Sequence, residues 1–149
     1  MGGAAACGMG DRRPRPIRLI SLDTSVLVRY LVGTPPAQAR RAAALVDGSD
    51  EVGLSPVALA ECAHVLRTQY GIGQRDILDS LIGLVQRENV RVLGLRTDVL
   101  LGSLVRARQL PGRPIPDALI VATSLAADAL PLATFDRDQR RYGIAIREP

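Results

Sequence analysis

The stretch Arg18 to Leu31, RLISLDTSVLVRYL, constrains this chain more than any other. A short apolar run, Ile17 to Leu22, is broken only by Arg18 and Ser21 and gives way to a carboxylate, Asp23, and two hydroxyls, Thr24 and Ser25. It reads as a strand running straight into a helix. Asp, Thr or Ser at such a junction is ordinary capping chemistry, because the side-chain oxygen accepts a bond from an orphan N–H of the first turn. An acid at the end of a strand is also how a site begins. Taken alone, the stretch favours the cap, and the alternative depends on whether distant carboxylates are placed to meet Asp23.

The rest of the chain alternates in the same way. Thr24 to Val32 reads as a helix, punctuated by Thr34-Pro35-Pro36, and Ala37 to Val46 as a second, closed by Gly48 where a left-handed cap is cheap. Glu51 to Leu54 is a brief strand. Ser55-Pro56 then opens a helix, with the cap at Ser55 and proline at the first helical position, and Gly71-Ile72-Gly73 stops it after about Tyr70. Next come a helix from Gln74 to Glu88, a strand from Arg91 to Leu95 and a helix from Asp98 to Leu110. The loop Pro111 to Pro116 delivers Asp117 at the head of a helix reaching about Ala129. A strand, Leu130 to Phe135, a turn or short helix, Asp136 to Tyr142, and a last strand, Ile144 to Ile146, complete the order. Such alternation predicts an α/β sandwich with a mainly parallel sheet and right-handed crossovers.

A chain of 149 residues is expected to form one domain that buries roughly two-thirds of its unfolded surface. Residues 1–16, rich in Gly, Ala, Arg and Pro without periodicity, are expected to be a disordered tail or a mis-assigned start, leaving 17–149 as the domain. Arg12-Arg13 is followed by no signal core, so a twin-arginine leader is rejected. The longest mostly apolar run, Ala118 to Ala127, falls short of the ~20 residues of a membrane helix. Cys7 and Cys62 suggest neither a structural disulfide nor a metal knuckle, which points to a reducing, cytoplasmic setting. All 19 basic residues are Arg and the net charge is +4. Guanidinium forks suit phosphate, although a GC-rich genome produces the same excess. Only 3% of residues are aromatic, a poor kit for stacking bases.

Four carboxylates stand out against apolar surroundings. Glu61 lies in SPVALAECAHVL, where Val57, Ala58 and Val65 share its helical face with His64. An unpaired carboxylate there is costly unless it meets a cation. Asp117 has Ile120 and Val121 on its side of the next helix, with a plain N-cap as the competing explanation. Asp136 ends the run PLATF as Asp23 ends the first strand. In a parallel sheet, acids at the carboxyl ends of neighbouring strands lie side by side at a switch point. With no Lys to neutralise the cluster, a divalent cation resolves the repulsion, and oxygen ligands without Cys or His suit Mg²⁺ or Mn²⁺. His64, three residues from Glu61, reads better as a surface or supporting residue than as a general base.

With these residues placed, the chain from Ile17 onward resembles the PIN-domain family, and within it the VapC-type toxins of bacterial toxin–antitoxin pairs. LDTSVLVRYL, SPVALAECAHVL, IPDALIVATSLA and LATFDRDQR carry the likeness in this order. The resemblance implies a three-layer α/β/α sandwich with a five-stranded, mainly parallel sheet of order 3-2-1-4-5. It implies that Asp23, Glu61, Asp117 and Asp136 form a metal-binding quartet, with Thr24, Ser25 and Thr134 as hydroxyl positions around it. It further implies a Mg²⁺- or Mn²⁺-dependent endoribonuclease acting on structured RNA such as tRNA or ribosomal RNA, a homodimer, and inhibition by a cognate antitoxin.

One departure concerns the fourth acid: Asp136 is followed by Arg137, Asp138 and Gln139, where the family often has an aromatic, so Asp138 is an alternative ligand. Arg113 and Arg137 are the expected phosphate contacts, with solvated surface arginine as the competing reading. Asp23 becomes the ligand, and Thr24 or Ser25 takes over capping or support. The rivals are a housekeeping PIN nuclease and a catalytically silent PIN binding module. More distant are receiver-like domains, which need a late Lys that is absent here, and haloacid-dehalogenase-like domains, which want an acid where Ser25 stands.

Overall fold

A computed structural model describes residues 18–149; Ile17 and the tail expected over 1–16 lie outside the described residues. Strands β1 (Leu19–Leu22), β2 (Glu51–Leu54) and β3 (Val90–Val92) form a parallel sheet in the order β1-β2-β3. Their ends are aligned, with Leu22 opposite Leu54 and Leu54 opposite Val92. Six helices accompany them: α1 (Thr24–Val32), α2 (Pro36–Val46), α3 (Pro56–Thr68), α4 (Gln74–Val85), α5 (Thr97–Arg108) and α6 (Ile115–Ala126). Strand pairing across long helical crossovers makes this the α/β fold that the alternation predicts.

The middle strand anchors the core. Val52, Gly53 and Leu54 are all buried, as a strand covered on both faces must be. A Cβ on Gly53 would come within 2.9 Å of the Leu93 side chain, so a larger residue there would displace Leu93. Around the strand, helices place one apolar stripe inward. In α4 the stripe is Ile77, Leu78, Leu81, Leu84 and Val85, which is the helical period of three and four. Leu27 of α1, Leu59 of α3 and Leu100 of α5 are fully buried in the same cluster.

Local signals set most boundaries. Ser55 caps α3 by accepting a bond from the Ala58 N–H at 3.1 Å, with Pro56 at the first helical position. Gly71 takes a left-handed φ of 65° just beyond α3. Gly48 behaves differently from expectation. The left-handed residue that closes the first helical pair is Gly33, with φ 77°, after α1, whereas α2 ends on Asp47 with an ordinary negative φ. Gly48 is needed for room, because a Cβ there would lie 2.8 Å from the Ala44 carbonyl oxygen. Helix α6 begins two residues before Asp117, at Ile115, so Asp117 sits inside the first turn.

The expected single five-stranded sheet is divided. Strands β4 (Leu132–Ala133) and β5 (Ile146–Arg147) form a second parallel pair, and no ladder joins β4 to β1 among the described residues. The longer strand expected over Leu130 to Phe135 is thus reduced to two paired residues. Its side chains are half-buried or exposed, so little apolar burial holds more of it in register. The last strand likewise pairs at Ile146–Arg147, shifted from Ile144 to Ile146. Among the described residues one edge of β1 has no partner strand, and Leu19 on it is 54% exposed. A short 3-10 helix, Arg137–Tyr142, links the two small strands.

Leu54→Ala removes a fully buried side chain from the central strand. It should cost about 2–5 kcal/mol, measured as a lower urea midpoint with unchanged m-value.

Candidate active site

Asp23 stands where β1 stops. Its backbone is extended, with φ −83° and ψ 158°, and its carboxylate caps α1. Oδ2 accepts from the Ser25 hydroxyl at 2.9 Å and from the Ser25 N–H at 3.4 Å. Those bonds, hydroxyl first and then the Ser25 and Thr24 backbone, hold the exposed Asp23 carboxyl below the usual range. Asp23 itself is therefore the cap, and the expectation that Thr24 or Ser25 takes over capping is corrected. Ser25 supports Asp23. Thr24 does something else: buried at the head of α1, its hydroxyl donates to Glu61 Oε2 at 2.6 Å. One peptide unit thus ties β1 and α1 to α3.

Glu61 is exposed at its carboxylate, while its neighbour Cys62 is buried. Burial first, then the Glu61 charge, pushes the Cys62 thiol up to about 12, which makes it an inert core residue. Asp23, Thr24 and Glu61 lie on the ridge between two hollows of about 330 and 290 Å³. His64 lines neither. It is exposed, with Nδ1 3.3 Å from an Arg67 nitrogen.

A second group gathers around the head of α6. Asp117, Asp136 and Asp138 line a small cleft of about 160 Å³ together with Arg113, Arg141 and Tyr142. Asp136 accepts from the Asp138 N–H at 2.8 Å and so caps the 3-10 helix, and its own N–H donates to the Thr134 hydroxyl at 3.0 Å. Asp138 is paired with Arg141 at 3.1 Å. The Asp117 carboxyl is raised above the usual range, mainly by burial, then by the charges of Asp136 and Asp138; a hydrogen bond from Gln139 opposes the rise. Arg113 rims this cleft, whereas Arg137 is exposed and lies 3.9 Å from Glu148.

Asp23, Thr24, Ser25 and Glu61 are thus brought together, and so are Asp117, Asp136 and Asp138. No three acidic, His or Cys side chains among the described residues are close enough to share one ion. In kind, the donors fit a hard divalent cation: every one is a carboxylate or hydroxyl oxygen, and Asp117 is a crowded, partly buried anion. Two supporting residues escaped the sequence reading. Gln139 is buried against Asp117, and Tyr142 donates to the Pro114 carbonyl at 2.7 Å, pinning the 3-10 helix to the turn before α6. Neither position carries a local sequence signal for those contacts.

A carboxyl raised in the folded state favours folding when protonated, and that contribution is lost as pH rises through the folded value. Asp117→Asn should therefore raise thermal stability at neutral pH in chelator, by less than about 1 kcal/mol because the group is half-exposed. The gain should vanish below the ordinary carboxyl pKa of about 3.9, as followed by thermal melts across pH.

The PIN domain family matches residues 20–145, from the middle of β1 to the edge of β5, and spans every site residue named above. Neither the curated proteins nor the solved structures compared with the chain produced a match. The family match covers most of the sequence with the acids at its strand ends and helix heads, and the chain belongs to the PIN domain family.

Proposed function

We propose that this chain is a metal-dependent endoribonuclease that hydrolyses RNA phosphodiester bonds, and that it serves as the toxin of a VapC-type toxin–antitoxin pair. PIN domains are generally nucleases, and PIN nucleases typically use divalent metals. The observation that carries the proposal is the placement of the acids. Asp23 and Asp136 each follow a strand and cap the helix after it, and Asp117 lies in the first turn of α6. The N–H groups at the two caps orient the Asp23 and Asp136 carboxylates.

Asp23, Glu61, Asp117 and Asp136 would hold Mg²⁺ or Mn²⁺. Bound there, such a cation would lower the pKa of a water and offset charge on a phosphoryl oxygen. The chain's own residues do the positioning. Ser25 fixes one carboxylate oxygen of Asp23, and Thr24 fixes one of Glu61. Between the two candidates for the fourth acid, Asp136 is favoured, because Arg141 already neutralises Asp138. Arg113, on the rim beside Asp117, is suited to a substrate phosphate. An antitoxin presenting a basic side chain would compete for the same acids.

The proposal includes one continuous sheet of order 3-2-1-4-5, with β4 laddered on the open edge of β1 and Asp136 beside Asp23. Among the described residues both strands have an unpaired edge, and β1–β3 and β4–β5 are each already parallel. Closure would also cover Leu19, 54% exposed, and Phe135, 80% exposed. Alternate amides of an edge strand point away from its partner. Amide exchange should therefore show every N–H from Leu19 to Leu22 protected; protection of every second one only would overturn the closed sheet.

Asp23→Asn tests the chemistry. Asn is as good an N-cap as Asp, so α1 keeps its start while the charge is lost. Cleavage of total RNA in Mg²⁺ or Mn²⁺ should fall by 100-fold or more, about 2.7 kcal/mol of barrier at 25 °C, with an unchanged melting temperature. Undiminished metal-dependent cleavage in that variant would sink the assignment. A small neighbouring gene encoding a DNA-binding head and a basic tail would support the toxin role.

A further inference from the structure

A hollow of about 550 Å³ lies beside the acids rather than on them. It runs between α1 and α2 and is lined by Ser25, Arg29, Gln38 and Arg41 over an apolar floor that includes Ala42 and Leu45. Ser25 and Arg29 also line the hollow that contains Asp23 and Glu61. The two depressions therefore adjoin along Ser25 and Arg29. Along α1 the step from Asp23 to Arg29 is about 9 Å at 1.5 Å per residue.

Arg29 differs from the arginines of this molecule that sit in ion pairs. Arg87, Arg91, Arg96, Arg108 and Arg141 are each paired with a carboxylate. Arg29 has no carboxylate partner among the described residues. It is held instead by two neutral groups: Nε donates to Gln38 Oε1 at 2.7 Å and Nη1 to the Tyr70 hydroxyl at 2.9 Å. A guanidinium has five N–H donors, so this one is oriented without being neutralised or used up. Arg41, exposed across the hollow, likewise has no ion-pair partner among the described residues. An acid-lined ridge repels a polyanion, and a preoriented guanidinium next to it offsets that repulsion.

We propose that the α1–α2 hollow is a backbone track for single-stranded RNA, in which Arg29 and Arg41 bind phosphates adjacent to the bond presented to Asp23 and Glu61. The track rests on the nuclease reading above and adds to it the path of the substrate. With three per cent aromatics in the chain, the grip on a strand falls to phosphate contacts rather than base stacking. Arg29 acts as a binding residue, distinct from the acids that face the reacting phosphate.

The test uses the full chain carrying Asp23→Asn and a labelled single-stranded oligouridylate, with affinity measured across salt concentrations. Arg29→Gln and Arg41→Gln, added singly, should each weaken binding about three- to tenfold. Each should also reduce the slope of log K against log salt by roughly 0.7, the value for one single-strand phosphate contact. Arg40→Gln, on α2 outside the hollow, should change neither. In the chain with Asp23 intact, Arg41→Gln should raise KM for RNA with kcat within twofold; Arg41 makes no hydrogen bond to the fold among the described residues, so lost structure does not account for that result. Slopes unchanged in both variants, with RNA still bound and cleaved, would overturn the track and leave the nuclease standing. Failure of the parent chain to bind or cleave RNA would overturn both. Loss of polyglutamate binding with RNA affinity intact would assign the hollow to an acidic protein partner and reject the track.

Discussion

The bond from the Thr24 hydroxyl to Glu61, 2.6 Å long, holds the amino-terminal half of the site together. Asp23 caps α1 immediately before it, so the strand end, the helix start and α3 meet within two residues. Such a hydroxyl–carboxylate bond is charge-assisted and partly shielded from water, which makes it stronger than a neutral one. Each acid is thus oriented by a hydroxyl of its own, Glu61 by Thr24 and Asp23 by Ser25. Asp23 cannot turn without releasing Ser25, and Glu61 cannot turn without leaving Thr24 unpaired.

The carboxyl-terminal half is organised by different means. Asp136 caps a short 3-10 helix, and Tyr142 ties that helix to Pro114 at the entrance to α6. Asp117 is raised mainly by its burial, with the charges of Asp136 and Asp138 adding to the rise, and Asp138 is paired with Arg141. Capping bonds lower the carboxyl at one half while burial raises it at the other, which is the separation of acidities that reactive sites exploit. Basic groups frame both halves: Arg113 on the second, Arg29 on the first.

Much of this was readable in the chain. The alternation of short apolar runs with three- and four-spaced stripes marked the α/β class and most helix boundaries, because those periods follow from backbone geometry. Ser55-Pro56 marked the head of α3, since proline at a first turn lacks only an N–H that has no partner anyway. Acids at strand ends were legible for the same reason. Gly48 was misread because two causes call for glycine, a left-handed φ and lack of room, and only the Ala44 carbonyl nearby distinguishes them.

The sequence by itself determined the strand and helix order, the four acids with their hydroxyl neighbours, and the all-arginine cationic surface, because each depends on residue type and local spacing. Only the tertiary structure decided that Thr24 serves Glu61 while Asp23 keeps the cap, that Gln139 meets Asp117, and that Arg29 rests on Gln38 and Tyr70. It also decided that the strands form a group of three and a pair. Those outcomes join residues far apart in the chain, and hydrogen-bond partners and sheet edges are selected by packing in three dimensions, which no local pattern encodes.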